Sequence, residues 1–258
     1  HAGFMSVGAY SGALFLTHTE LPQLPAILIA LLIGGSAAAV FGLIIGVPVL
    51  RLKGDYLAIV TLGFGEIIKS IINFMTPITG GAKGLSKIPL YTTYRNFTFV
   101  FILTVIVVLL VSNIVRSRHG RAITSIRDNY IAAEAAGIPV SRYKIMTFVI
   151  AAFFAGVAGV VYAGNIGILK PVNFDYNTSI EILVMVVLGG MGNIKGSIIA
   201  AVILTALPEV LRGAADYRML LYSIVLIALM LFNNSPIKRA FMDRRNMRQA
   251  GRLQKEGE

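Results

Sequence analysis

Residues 26–50 contain no charged side chain. A helix needs roughly 20 apolar residues to cross the hydrocarbon core of a bilayer, and this run supplies them. Comparable runs follow at residues 56–75, 98–115 and 143–169, and the core of a last one at 220–232. Two shorter apolar pieces, residues 180–188 and 198–211, lie between them. The pattern predicts an all-α fold, a polytopic transmembrane helical bundle. Loops are expected at residues 77–96, 116–144 and 171–177.

Composition narrows the function classes. The chain is 56% hydrophobic and 14% charged, with a mean hydropathy of +0.78. A soluble domain carries about 25% charged residues to cover its surface. The absence of cysteine excludes a disulfide framework, a thiolate metal site and a thiol nucleophile. The three histidines, His1, His18 and His119, lie outside the clear spans, and no H-E-x-x-H spacing occurs. No catalytic residue, metal site or cofactor bound by this chain is therefore expected.

A net charge of +11 would suggest nucleic acid in a soluble protein. Here the basic residues sit between apolar runs and near the C-terminus, as cytoplasmic loops require, so membrane lipid rather than nucleic acid is the expected partner. Arg51 and Lys53, the 116–144 segment and the 236–258 tail hold 15 of the 23 Lys and Arg residues. Placing that side in the cytoplasm leaves Lys83, Lys87, Arg95, Lys170, Arg212 and Arg218 outside. The expected layout is a transmembrane domain over residues 1–235 with a cytoplasmic loop at 116–144, then a basic cytoplasmic tail at 236–258. Parity holds if both short pieces cross, and fails if they form one re-entrant hairpin. The start at His1-Ala2-Gly3 and the short, Gly-rich first run read as a chain that lacks an N-terminal part.

Small residues recur at four-residue spacing. Gly42 and Gly46 form one such pair, and Ala152, Gly156, Ala155, Gly159 and Ala163 continue the theme. In lipid such residues let helix backbones approach closely, and plain helix packing accounts for them.

The 121–144 segment is unlike its surroundings. As a helix it places Ile123, Ile126, Tyr130 and Ala133 on one face and Arg121, Thr124, Ser125, Asp128 and Ala132 on the other. Gly137 fits the position just after a helix, and Pro139 prevents resumption. One amphipathic helix of about four turns is expected, either a structural linker on the membrane surface or a docking element for a cytoplasmic partner.

Polar groups inside the spans are costly, so each needs a partner or a role. Glu66 lies near the middle of its span, with Lys69 three residues on, where the two can pair. Glu66 is read as a member of a buried ion pair, as a pathway-lining group near a substrate amine, or as a proton-coupling carboxylate. Thr61, Gly63 and Gly65 beside it leave room for close backbone approach. Glu181 and Glu209 fit interfacial solvation, and Asp55 fits a helix cap. GGMGNIKG, residues 189–196, is either a tight loop or a broken helix at a pathway.

Several segments carry a resemblance. AAEAAGI, residues 132–138, resembles the cytoplasmic Glu-Ala-Ala…Gly element of ABC importer permeases. HAGFMSVGAY at the start, RLKGDYLAIVTLGFGEII at residues 51–68, TGGAKGL at 79–85, VLGGMGNIKGSIIAA at 187–201 and LPEVLR at 207–212 are similar, in order, to LivM-type branched-chain amino acid permeases. The resemblance implies a permease subunit of an ATP-driven importer for leucine, isoleucine and valine in the bacterial inner membrane, with N-terminal spans missing. It implies a homologous second permease, two cytoplasmic ATPase subunits and a periplasmic substrate-binding protein as partners. The coupling surface would comprise Arg121, Arg127, Ala133, Glu134, Ala135, Ala136 and Gly137. Pathway residues would be Tyr56, Thr61, Gly65, Glu66, Gly189 and Gly190. No G-x-x-x-x-G-K-[ST] loop occurs, so ATP would be used by the partner. The alternatives are an ABC permease for urea or short amides, and an ion-coupled transporter or channel for small zwitterions.

Overall fold

The computed structural model describes residues 1–52, 54–93, 96–210 and 227. Apart from residue 227, the expected last span and the basic tail lie outside the described residues. Among them the long apolar helices fall where the hydropathy pattern places them, and the extended backbone contributes one isolated antiparallel bridge, between Leu85 and Leu169. The chain divides into two compact units, residues 1–180 and 181–258.

In the first unit the helices are α1 (Ala2–His18), α2 (Gln23–Val49), α3 (Asp55–Phe74), a short α4 (Thr76–Thr79), α5 (Phe97–Arg116), α6 (Arg118–Asp128), α7 (Tyr130–Ala135) and α8 (Val140–Ile166). Four of these, α2, α3, α5 and α8, are long and apolar enough to cross a membrane. Their ends fall within a few residues of the hydropathy edges. The first apolar run also forms a helix, α1, of 17 residues.

The core is where α1, α2 and α8 meet, and small residues make it possible. Gly42 faces Ala152 and Gly46 faces Phe148, so α2 and α8 run antiparallel. Gly156 lies against the backbone of Gly34 and against Gly8, and Gly159 against the backbone of Met5. A side chain at any of these would separate the helices. Ala38 and Ala163 are fully buried, and Ala152 and Val160 nearly so. Ala155 is only half-buried and stands outside the contact. Close backbone approach of this kind replaces the hydrophobic driving force that lipid does not supply. By contrast, α5 buries no side chain, and its apolar surface (Phe97, Phe101 and Leu109 are all more than half exposed) is what a lipid-facing helix presents.

Because α2 and α8 are antiparallel, the end of α2 and the start of α8 share one end of the unit. Arg51, α6 and α7 are gathered there. At the other end, the segment after α3 and the segment after α8 are tied together. Leu85 and Leu169 exchange backbone hydrogen bonds at 2.8 and 2.9 Å. The Thr92 hydroxyl donates to the Val161 carbonyl at 2.7 Å, and the Tyr10 hydroxyl to the Leu169 carbonyl at 3.0 Å. Leu169 and Phe174 are among the most deeply buried large side chains, and the Phe174 ring packs at a steep angle against the rings of Tyr10 and Tyr162. The expected loop at 171–177 is thus a folded plug: a 3-10 turn at Pro171–Phe174, then the start of the next helix at Tyr176.

Two local expectations are corrected. Asp55 does not cap α3. Gly54, at φ +61, occupies the N-cap position, and Asp55 sits inside the first turn without a capping hydrogen bond, where its carboxylate still complements the helix dipole. A Cβ at Gly63 or at Gly65 would meet nothing within 4 Å; the residue that must be small is Gly3 of α1, whose Cβ would meet the Gly65 backbone at 2.9 Å.

Helix α9 (Tyr176–Gly189) leads from the first unit into the second, which holds α10 (Ile194–Val210). Between α9 and α10, Gly190 (φ +90) and Gly192 (φ +87) turn the chain in the left-handed region. Asn193 caps α10, accepting from Gly196 N–H at 3.2 Å, and Gly189 lies against the backbone of Gly196 and Ser197. Of the two readings of GGMGNIKG, this is the tight loop.

Candidate functional site

The 116–140 connection is two helices, not one of four turns. The break is at Asn129, whose backbone is extended (φ −155, ψ 101). Its side-chain oxygen accepts from the N–H groups of Ile131 and Ala132, both at 3.1 Å, and so starts α7 anew. Asn is neutral to poor inside a helix but among the best N-caps, and the cap wins here. Helix α6 is capped likewise, with Ser117 accepting from Gly120 N–H at 3.1 Å. The expected faces therefore do not persist across the break: Ile123 and Ile126 are half-buried, but Tyr130 is 44% exposed.

The end of α7 is built as expected. Gly137 has φ +82, its N–H donates to the Glu134 carbonyl at 2.9 Å, and the Ile138 N–H reaches back to the Ala133 carbonyl at 3.1 Å. This pair of bonds is the Schellman closure, which calls for glycine at that point. Ala133 is buried at 4% exposure and anchors the turn, while Glu134, Ala135, Ala136 and Gly137 are all exposed. Ile131, 64% exposed, adds an apolar side chain beside them. Arg121 donates to the Arg116 carbonyl at 3.2 Å, and Arg127 pairs with Asp128 at 3.0 Å. Both members of that pair are more than half exposed, and such a surface pair contributes little to stability. The result is a short rod with a rigid, exposed, uncluttered tip. Asn129→Ala should weaken α7 by about 1 kcal/mol, read as faster amide hydrogen exchange at Ile131 and Ala132 with α8 unchanged.

Four of the expected pathway residues, Tyr56, Thr61, Gly65 and Glu66, lie on α3, and two, Gly189 and Gly190, lie in the second unit. On α3, Tyr56 is 74% exposed, and Thr61 donates its hydroxyl to the carbonyls of Leu57 and Ala58, both at 2.9 Å. Thr61 and Gly65 line a crevice of about 20 Å³ between α1, α2, α3 and α8, room for about one water molecule. Glu66 pairs with Lys69 at 3.0 Å. It also accepts the backbone N–H of Tyr176 at 2.9 Å. Gly189 and Gly190 belong to the α9–α10 turn.

Sequence reasoning missed Asp175. Its carboxylate accepts from the Thr178 N–H at 3.0 Å and from the Asn177 amide at 3.0 Å. The Thr178 N–H chiefly holds this carboxyl below its usual range; partial burial opposes the shift, and Asn177, the Thr178 hydroxyl and the nearby Lys69 charge assist it. An Asp two or three residues ahead of a Thr was the available signal. A larger crevice of about 420 Å³ was also not foreseen. It lies among α1, α5 and α8, with Met5, Phe97 and Val161 on its apolar wall and Thr93, Tyr162 and Asn165 as polar groups.

The chain is similar to known proteins along most of its length. A family described as branched-chain amino acid transport system / permease component matches residues 1–233. The high-affinity branched-chain amino acid transport system permease protein LivM of Escherichia coli (strain K12) is 35% identical over 263 residues, covering 90% of this chain and 61% of that relative. The LivM protein of Salmonella typhimurium (strain LT2) is 34% identical over the same shares. The permease protein LivH of Escherichia coli (strain K12) is 33% identical over 116 residues, 45% of this chain and 37% of that relative. The chain thus spans about 61% of the length of the LivM relatives. No solved structure matches.

Proposed function

Because this chain belongs to the family of branched-chain amino acid transport permease components, we propose that it is the permease subunit of an ATP-driven importer carrying leucine, isoleucine and valine across the bacterial inner membrane. The observation that carries the reading is the exposed tip of α7. A rod held rigid by a cap at Asn129 and a Schellman closure at Gly137 presents Glu134 to Gly137 at the end of the unit where Arg51, Arg118, Arg121, Arg127, Arg142 and Lys144 collect. Lys/Arg enrichment marks the cytoplasmic side, which is where an ATPase would grip.

Energy enters through partners. Two ATPase subunits bind on the cytoplasmic side, where the rod docks, and their ATP-driven closure shifts it. The shift tilts α5 and α8, the spans attached to it, and alternates access to the pathway. A homologous second permease completes the pathway, and a binding protein delivers substrate from outside. Similarity to both LivM and LivH supports a pair of related permeases. The substrate class rests on the names of those relatives, and an apolar pathway suits a small zwitterion with an aliphatic side chain.

The test is uptake of labelled leucine into proteoliposomes. Uptake by the assembled importer should require ATP on the rod side and binding protein on the other, and the chain should co-purify with an ATPase subunit. Leucine uptake by this chain alone under a proton gradient would establish ion-coupled transport in its place.

A further inference from the structure

Glu66 is fully engaged, and one of its partners is a different helix. Oε2 accepts from the Lys69 ammonium at 3.0 Å, and Oε1 accepts from the Tyr176 backbone N–H at 2.9 Å. Tyr176 is the first residue of α9, and the first four amides of a helix have no partner within it. Two carboxylates meet that need in different ways. Asp175 serves the Thr178 N–H from the adjoining position in the chain, so it would cap α9 wherever the connection travelled. Glu66 reaches Tyr176 across 110 residues of sequence, so its bond exists only while α9 begins beside α3. The same turn of α9 is also bonded to α1, where the Ser179 hydroxyl accepts the Ala2 N–H at 3.0 Å, and the turn that precedes it is held by Phe174, buried against Tyr10 and Tyr162. Apolar contact of that kind is non-directional. A hydrogen bond from a fixed amide to a carboxylate is directional, and it is strong because one partner is charged.

We infer that Glu66 is a positioning residue: it latches the first turn of α9 to α3, so that this turn follows α3 when the helices tilt. Lys69 neutralises the carboxylate inside the membrane and holds it in place from the turn above. The consequence for transport rests on the importer reading, whereas the latch itself is read without it.

Two double variants isolate the acceptor oxygen without leaving Lys69 unpaired: Glu66→Gln/Lys69→Met, which keeps an oxygen for Tyr176, and Glu66→Leu/Lys69→Met, which does not. Amide hydrogen exchange of the assembled complex, read residue by residue, is the direct measurement. In the Leu variant the Tyr176 amide should exchange roughly tenfold faster or more, the scale of a lost hydrogen bond to a charged group, with Thr178 unchanged. In the Gln variant Tyr176 should stay within about threefold of the parent. Equal exchange at Tyr176 in the parent and the Leu variant removes the latch. For uptake, the Leu variant should lose maximal rate with KM nearly constant, and the Gln variant should recover most of it. A large KM rise in both variants would make Glu66 a substrate ligand instead, and a flattened pH profile in both would make it a proton carrier. If the parent complex transports no leucine at all, the importer reading fails while the exchange result still decides the latch.

Discussion

Gly156→Leu should leave almost no folded chain in the membrane. Gly156 stands where three helices touch. A Cβ there would meet the Gly34 carbonyl oxygen at 2.5 Å and the Ala38 methyl at 2.6 Å, and the backbone of Gly8 lies on its other side. Neighbours that are backbone or a bare methyl cannot swing away, so a leucine must push α1 and α2 off α8. Overpacking a yielding core costs about 1–3 kcal/mol; here the cost falls on both helix contacts together and should exceed about 4 kcal/mol, the range reserved for disrupted cores. Against a total stability of roughly 5–15 kcal/mol, that predicts loss of the monodisperse peak in detergent and a fall in membrane yield on the order of tenfold. Ala155→Leu, one residue away but half-buried outside the contact, should be tolerated. Wild-type yield and melting for Gly156→Leu would show that the three helices do not depend on this approach.

Glu134→Arg and Gly137→Pro should each uncouple ATP hydrolysis from substrate in the assembled importer while the spans stay folded. Glu134 is exposed, so reversing its charge alters what a partner meets without disturbing the rod. Gly137 acts through backbone. Proline holds φ near −65° and has no N–H, whereas this position has φ +82 and donates to the Glu134 carbonyl. Its substitution opens the Schellman closure and blunts the tip. Coupling free energies of 1–3 kcal/mol correspond to roughly 5- to 150-fold, so substrate-stimulated hydrolysis should fall by at least about fivefold, toward its unstimulated rate. Gly137→Asn, which tolerates the left-handed region, should retain most coupling. Normal stimulation in both Glu134→Arg and Gly137→Pro would remove the rod from the mechanism.

Much of the fold could be read along the chain because the signals are local. Transfer of a helix into lipid depends on its own side chains, so α2, α3, α5 and α8 sit within a few residues of the hydropathy edges. The end of α7 was readable for the same reason: glycine at C′ and proline two residues on bear on one turn of backbone. The break at Asn129 was present in the sequence too, but periodicity alone counts an Asn as one more polar position. Only its extended backbone and the two amides it accepts reveal a cap. The Glu66–Lys69 pair was foreseen from three-residue spacing, yet the second bond of Glu66, to Tyr176, leaves no local trace.

Hydropathy, charge asymmetry and capping residues determined the membrane class, the helical spans, the basic end and the stop at Gly137, since each is a free energy that a short segment carries by itself. Tertiary structure decided which glycine meets which backbone, that the connection after α8 folds in as a plug under Tyr10, and that a carboxylate in α3 receives an amide of α9. Those outcomes depend on steric fit and hydrogen-bond direction between segments far apart in the chain, and neither quantity exists until the helices are side by side.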